Sequence, residues 1–397
     1  MRHLKYIFAL LILFFILHFE NEYIAGIKVS HIWKIFIAFL LIVFIFLLSS
    51  KKKFGNFPNT VIWGYLFAIW PFLVGLSSDN PTYDFFSTGQ RFFPILFFHF
   101  YCLLNQKINL STKFLIYFAL FVTVSTIPFF LGLTQQIGKT YDLSRLGDYS
   151  GHSFVGIFQN PHAASISVSF AFIIIFYFFL NERNKKLKWF LGTTCLFLFY
   201  VEIMTMARAG YISLAAGVIF ITIKNYKNLR KTISFLFLIF GFGILLYSTI
   251  DYSLLETRIL GETKYRKSSD IDSISSGRFG LWADSFSIIS NQDFIYFIGG
   301  IGLHHYRIAM YDEVGVFLFA HNGYLDELAI YGLIGFMLLV CFLASLAKDI
   351  KKSYHKTLGH SLLLAIIAFN FFQGFSFPLQ LIVFSPFISR TPFYRPR

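Results

Sequence analysis

The sequence predicts an all-α fold: a polytopic bundle of about 12 membrane-spanning helices with a helical loop subdomain on its outer face, forming one integral membrane domain over residues 1–397. Three observations predict it. The chain is 56% hydrophobic and only 14% charged, whereas soluble domains carry roughly 25% charged residues. Apolar runs recur along it, many of them near the roughly 17–25 residues that cross a bilayer. Basic segments separate those runs on alternate sides, as the retention of Lys and Arg in cytoplasmic loops requires.

The elements follow in order. The first run, Leu4 to Phe19, follows Arg2 and Lys5 but leads into HFENEYIAGIKVS. No small-residue cleavage site is present there, so the run reads as a retained helix rather than a signal peptide. Further helices are predicted near 31–48, 59–76, 91–104, 114–132, 163–180, 188–203, 209–223, 232–250, 322–347, 358–373 and 377–389, the last of them short. With the N-terminus inside, the segments 51–56, 105–113, 181–188, 224–231, 348–356 and the tail RTPFYRPR are cytoplasmic and hold most of the 34 Lys and Arg residues. Two long loops remain outside, 132–162 and 251–320. Loops of that length usually bind or catalyse. The second contains FIYFIGGIGL (294–303) and VGVFLFA (314–320), which suit short helices lying in the membrane interface.

Composition also excludes several functions. The net charge of +14 follows from the cytoplasmic loops and gives no reason to expect a nucleic-acid partner. Cys102, Cys195 and Cys341 all lie in apolar runs, which supports neither a disulfide framework nor a zinc site. There is no P-loop, no dinucleotide-binding glycine pattern and no metal-ligand spacing, so no cofactor or metal is expected. The halves show no inverted repeat, which counts against a secondary transporter.

A few polar residues then need explaining. His321 and Asn322 head the tenth predicted helix. His321, Leu325, Leu328, Gly332 and Gly335 fall on one helical stripe, whose glycines would admit a close neighbour. Asn322 suits an N-cap, and a helix start can hold an anion. His321 is either a proton acceptor near neutral pH or an interfacial anchor. Arg208, in TMARAGYISL, sits between two apolar runs. It either pairs with Glu202 or holds phosphate oxygens with its two-pronged guanidinium. Arg278, in SSGRFGLWADSF, opens an amphipathic helix with Trp282 and Phe286 on one face. A cation is disfavoured there by the helix dipole unless an anion accompanies it. Arg91 heads the fourth predicted helix as an interfacial anchor or a substrate contact. Asp326 and Glu327 complement the dipole of the tenth helix. Asn160-Pro161 marks the turn that starts the sixth.

The ordered set MARAG (206–210), SGRFGLW (276–282) and HNGYLDELAIYGLIG (321–335) resembles the O-antigen ligase/O-antigen polymerase superfamily. The resemblance covers the second half of the chain; the first half agrees in hydropathy and in FQNPHAAS. It implies a metal-independent glycosyl transfer on the periplasmic face of the bacterial inner membrane, from an undecaprenyl-pyrophosphate-linked glycan to a sugar hydroxyl. On that resemblance Arg208 and Arg278 hold the pyrophosphate, His321 takes the proton of the attacking hydroxyl, and Asn322 orients the histidine or caps the helix. The implied partners are the undecaprenyl-pyrophosphate-linked oligosaccharide, membrane lipid and a separate chain-length regulator. Polymerases of this type carry Arg-x10-Gly elements in two periplasmic loops. Arg145 with Gly156 and Arg266 with Gly277 have that spacing, which favours a polymerase over a ligase. A lipid-linked-glycan transporter would instead line several helices with charge through the membrane.

Overall fold

The structure is a computed structural model and describes residues 23–24, 27–49, 58–105, 111–137, 140, 153–225, 241, 278–315, 317–375 and 381–388. Among these lie twelve α-helices. They are α1 (Val29–Ser49), α2 (Asn59–Gly75), α3 (Thr82–Asn105), α4 (Ser111–Phe130), α5 (Pro161–Asn181) and α6 (Lys185–Met204), then α7 (Arg208–Lys224), α8 (Arg278–Ser290), α9 (Phe294–Gly299), α10 (Gly302–Val314), α11 (Gly323–Lys352) and α12 (Lys356–Phe371). A two-residue antiparallel pairing, Tyr23–Ile24 with Ile27–Lys28, precedes α1. Among the described helices, α4, α5, α6 and α11 are long and apolar enough to cross a membrane, while α2 and α12 are apolar but shorter. The predicted spans 4–19 and 232–250 lie outside the described residues, apart from Gly241.

The chain divides into two compact units. In the first, residues Ala164 to Phe176 of α5 are buried without interruption. Burial on every face makes α5 the central post of this unit, with α6 and α7 packed on it. It starts where the sequence places it. Asn160 accepts the Ala163 N–H at 2.9 Å, and Pro161 takes the first helical position, where its missing N–H costs nothing. Ser361 donates to the Gly217 carbonyl at 2.8 Å on a face of α7 where an added Cβ would collide with Ile173.

The second unit packs α11 against α2, α2 against α3, and seats α8, α9 and α10 on α11. Its core joins Val74 of α2, Ile288 and Ile289 of α8, Tyr306 and Met310 of α10, and Ala329, Ile330 and Tyr331 of α11. The loop subdomain is therefore helical where it is described. Asp84 ties it down: its buried carboxylate accepts the Leu303 N–H at 2.8 Å, at the first turn of α10. A carboxylate is favoured at that end of a helix dipole.

Two expectations are corrected. The fourth predicted helix begins at Thr82 rather than near 91, because TYDFFSTGQ is polar enough to hide a helix that packs on protein. Arg91 therefore lies inside α3 and does not head it. Gly332 does not sit on a continuous helical stripe, although it does admit a close neighbour. Its φ of 69° and ψ of −174° break α11. The break leaves carbonyls without their usual i+4 donors, and side chains supply replacements. Trp70 Nε1 donates to the Tyr331 carbonyl at 2.8 Å, and Gln292 Nε2 donates to that of Ala329 at 3.3 Å. Gly332 then meets Gly300 backbone to backbone: a Cβ built on Gly332 would lie 2.5 Å from Gly300 N. Gly335 is a packing position as expected, with Trp70 Cδ1 3.1 Å from where its Cβ would be.

Candidate active site

The site in the second unit is built around the head of α11. Asn322 is its N-cap and accepts the N–H groups of Tyr324 and Leu325 at 3.1 and 3.2 Å. That satisfies two of the donors a helix start leaves open. It also removes them from any anion, so the helix start is a weaker phosphate cradle than its position implied.

His321 precedes the cap with φ 53°, one of two non-glycine residues with positive φ among the described residues. Such a conformation is costly for an L-residue and persists only when its surroundings hold it. The holding contacts fall on the residue before it. Ala320 N–H donates to Asp326 Oδ1 at 2.9 Å, and the Ala320 carbonyl accepts Trp282 Nε1 at 3.0 Å. Tyr306 donates its hydroxyl to the same Asp326 oxygen at 3.2 Å and lies 3.1 Å from the Ser285 hydroxyl. Burial, then the Asp326 charge, holds the Tyr306 phenol well above its ordinary value of 10, so it remains a donor. Asp326 thus braces the turn that carries His321, beyond the dipole role expected of it.

Arg278 is the first residue of α8, half-buried, with Trp282 one turn later on the same helix. Trp282 also meets Phe371 edge-on at 5.5 Å. Phe286, expected to share its buried face, is instead exposed; Ser285, Ile288 and Ile289 are the residues α8 buries. The structure brings Arg278 close enough to His321 to act on its ionisation. Burial pushes the imidazole below its ordinary 6.5, and the positive charge of Arg278 pushes it the same way. A histidine shifted downward is neutral at pH 7 and has a lone pair ready for a proton.

Arg91 sits under this site in a different setting from the one expected. It is 3% exposed and donates through Nη1 and Nη2 to the two oxygens of Glu327 at 2.9 and 2.8 Å. Its guanidinium lies between the Phe67 and Tyr331 rings, 4.3 and 4.4 Å from their centroids. A fork–fork pair of this kind fixes geometry as well as charge. Its carboxylate partner is in the protein, so Arg91 is a brace for α11. The sequence signal was present in an Arg and a Glu on two apolar helices, because ionisable groups at membrane depth generally pair.

Arg208 belongs to the first unit and opens α7, half-buried, after a tight turn. Met206 takes φ 55° there, Thr205 Oγ1 donates to the Glu202 carbonyl at 2.7 Å, and the Met204 carbonyl accepts Phe154 N–H at 2.8 Å. Glu202, weighed as a partner for Arg208, accepts the Ser165 hydroxyl and is 1% exposed. Arg145 and Arg266 lie outside the described residues. Among the described residues no group of three or more His, Cys, Asp or Glu gathers as metal ligands.

Residues 193–340 match the O-antigen ligase family. The matched stretch contains Arg208, Arg278, Trp282, His321, Asn322, Gly332 and Gly335. No curated protein gives a significant match to the chain.

Proposed function

We propose that this chain, whose residues 193–340 match the O-antigen ligase family, is a metal-independent glycosyltransferase of the polymerase type. It transfers a growing glycan from undecaprenyl pyrophosphate to a sugar hydroxyl of another lipid-linked repeat unit. The reaction takes place on the periplasmic face of the bacterial inner membrane.

The single observation that supports this reading is the turn of His321 at the head of α11, held through the Ala320 carbonyl by Trp282 of the helix that Arg278 opens; burial and the Arg278 charge lower the imidazole pKa there. Those groups match the two demands of the chemistry. The acceptor oxygen bonds to the anomeric carbon as His321 takes its proton. The bond from that carbon to the phosphate oxygen breaks, and the pyrophosphate leaves with the electron pair. Arg278 offsets the negative charge that grows on it. Arg208 is assigned the same phosphate-binding role from the family pattern, and Asn322 keeps the turn in place. The donor is already activated by its pyrophosphate, so neither ATP nor a nucleotide sugar is needed.

The Arg145 and Arg266 spacings support polymerase activity, with both residues binding the glycan-bearing substrate. A second reading, transfer of finished polysaccharide to lipid A–core, is favoured by the description of the matched family as O-antigen ligase. Gel analysis of lipopolysaccharide from a deletion strain separates them. Core bearing one repeat unit indicates a lost polymerase, and a chain-length regulator is then its expected partner. Bare core with accumulated lipid-linked polymer indicates a lost ligase. An unchanged ladder removes both readings.

A further inference from the structure

We propose that α9 (Phe294–Gly299) is a short membrane-embedded helix, dipping from the loop subdomain into the leaflet on the His321 side and presenting Phe294 and Ile295 to lipid acyl chains.

The depth of α9 follows from what it touches. α11 is interrupted at Gly332, so depth is counted along its unbroken remainder, Leu333 to Ala347, an uncharged run of 15 residues that ends at Lys348. At about 1.5 Å per residue that run is about 22 Å long, shorter than the roughly 30 Å of a bilayer's hydrocarbon core. With Lys348 at the inner edge, Gly332 at the outer end of the run lies within the apolar layer. The C-terminal end of α9 is fixed at this level, because Gly332 packs on Ile298, Gly299 and Gly300 backbone atoms. α9 therefore lies alongside the outer part of the apolar stretch.

Its surface agrees. α9 buries none of its residues, and Phe294, Ile295 and Tyr296 are 78%, 78% and 52% exposed. A helix facing water carries polar residues on its outer side, and FIYFIG offers one phenol. The exposed side chains of α11 past the break are apolar as well: Ile334, Met337 and Val340 are 37%, 50% and 40% exposed. Backbone groups placed in lipid need partners. Phe297 N–H reaches the Asp293 carbonyl at 2.9 Å, and Gly300 N–H reaches that of Tyr296 at 2.7 Å. The other end is the polar run Asn291-Gln292-Asp293, suited to the headgroup level. Acyl chains are thus the occupant. This inference rests on α11 being a span and stands apart from the glycosyl-transfer reading.

The test uses the full chain with its three native cysteines replaced by alanine, in vesicles of phosphatidylethanolamine and phosphatidylglycerol. Nitroxide labels are placed at Phe294→Cys and Ile295→Cys, with Met337→Cys as the lipid-facing reference and Asp312→Cys on α10 as the aqueous one. The ratio of oxygen to nickel-complex collisions should match the Met337 site and exceed the Asp312 site several-fold. A ratio like that of Asp312 overturns the proposal. So does spin–spin broadening between labels, which would place a second copy over α9. As a label-free measurement, Phe294→Trp should add fluorescence that brominated lipid quenches; quenching by aqueous iodide instead rejects it.

Discussion

Trp282 donates its indole N–H to the carbonyl of Ala320 at 3.0 Å, so the residue four places after Arg278 holds the peptide immediately before His321. The two motifs that carry the candidate chemistry are thereby joined through a side-chain-to-backbone hydrogen bond. The bond is local and can be removed alone. Trp282→Phe keeps the ring and loses the donor. It should cost about 1 kcal/mol of stability and lower glycosyl transfer about tenfold, through a His321 turn that is less firmly held. Thermal unfolding in detergent and a transfer assay read the two effects. An unchanged rate would separate the clamp from the chemistry.

Asp326 grips the N–H of the same residue, Ala320. Asp326→Asn leaves a side-chain oxygen for Ala320 N–H and Tyr306, whereas Asp326→Ala strands the Ala320 N–H and leaves Tyr306 only the Ser285 hydroxyl. An unsatisfied buried donor costs roughly 1–3 kcal/mol, so the alanine variant should lose far more activity and stability than the asparagine one. Equal losses would point to the charge of Asp326 rather than its acceptor geometry.

The ionisation of His321 sets a pH dependence. Its folded pKa lies below 6.5, so activity should rise with pH through that lowered value and be level by neutrality. Removing the Arg278 charge takes away one of the two causes of the lowering. In Arg278→Gln the residual activity should therefore have its acid limb moved to higher pH. Stability follows the same sign. As pH falls below the unfolded value the unfolded chain binds the proton first, so this histidine's contribution to stability declines on acidification. A pH–rate profile whose acid limb ignores the Arg278 substitution would mean that the guanidinium charge does not reach the imidazole.

The buried Arg91–Glu327 pair predicts a non-additive cycle. Arg91→Met or Glu327→Leu alone leaves an unpaired ion and should destabilise by about 3–5 kcal/mol. The double substitution should cost much less than the sum of the two. Arg91→Lys should also be poor, since a point charge replaces neither the fork nor the stacking between rings. Denaturant unfolding of the four species measures it, and additive losses would show the pair to be uncoupled.

Gly332 and Gly315 both have positive φ, 69° and 76°, but Gly315 has open space where a Cβ would go. Gly315→Ala should therefore cost only backbone strain, about 1–2 kcal/mol. Gly332→Ala adds a collision with Gly300 and should unfold or displace α9 as well. Melting temperatures and proteolysis of the α8–α10 segment compare them.

Much of this architecture was legible in residue order. Long apolar runs with basic flanks placed α1, α2, α5, α6, α7 and α12 within a few residues of their observed ends, because the 3.6-residue helix is the only local solution such runs have in lipid. Asn322 announced a cap by residue type, and Asn160-Pro161 announced the turn that starts α5. The head of α3 was hidden, since polarity there reflects contact with α10 rather than an absence of helix. The break at Gly332 was hidden too. A glycine in an apolar helix has the same letter whether it admits a neighbour or abandons helical geometry. The partners of Asp326 and Glu327 depend on elements 6 and 236 residues away along the chain, and sequence position does not reveal which acid meets which donor. The positive φ of His321 is likewise imposed from outside, by Trp282 and Asp326.

The meeting of Gly300 with Gly332 has a consequence for how such a chain can change over generations. Most crowded contacts tolerate drift, because a larger residue on one side can be answered by a smaller one opposite. Here both sides already carry only hydrogen, and neither has anything left to surrender. Compensation would require moving the backbone of α9 or α11, and with α11 the loop that carries His321. The two positions should therefore be fixed as a couple, with no viable single-step alternative at either.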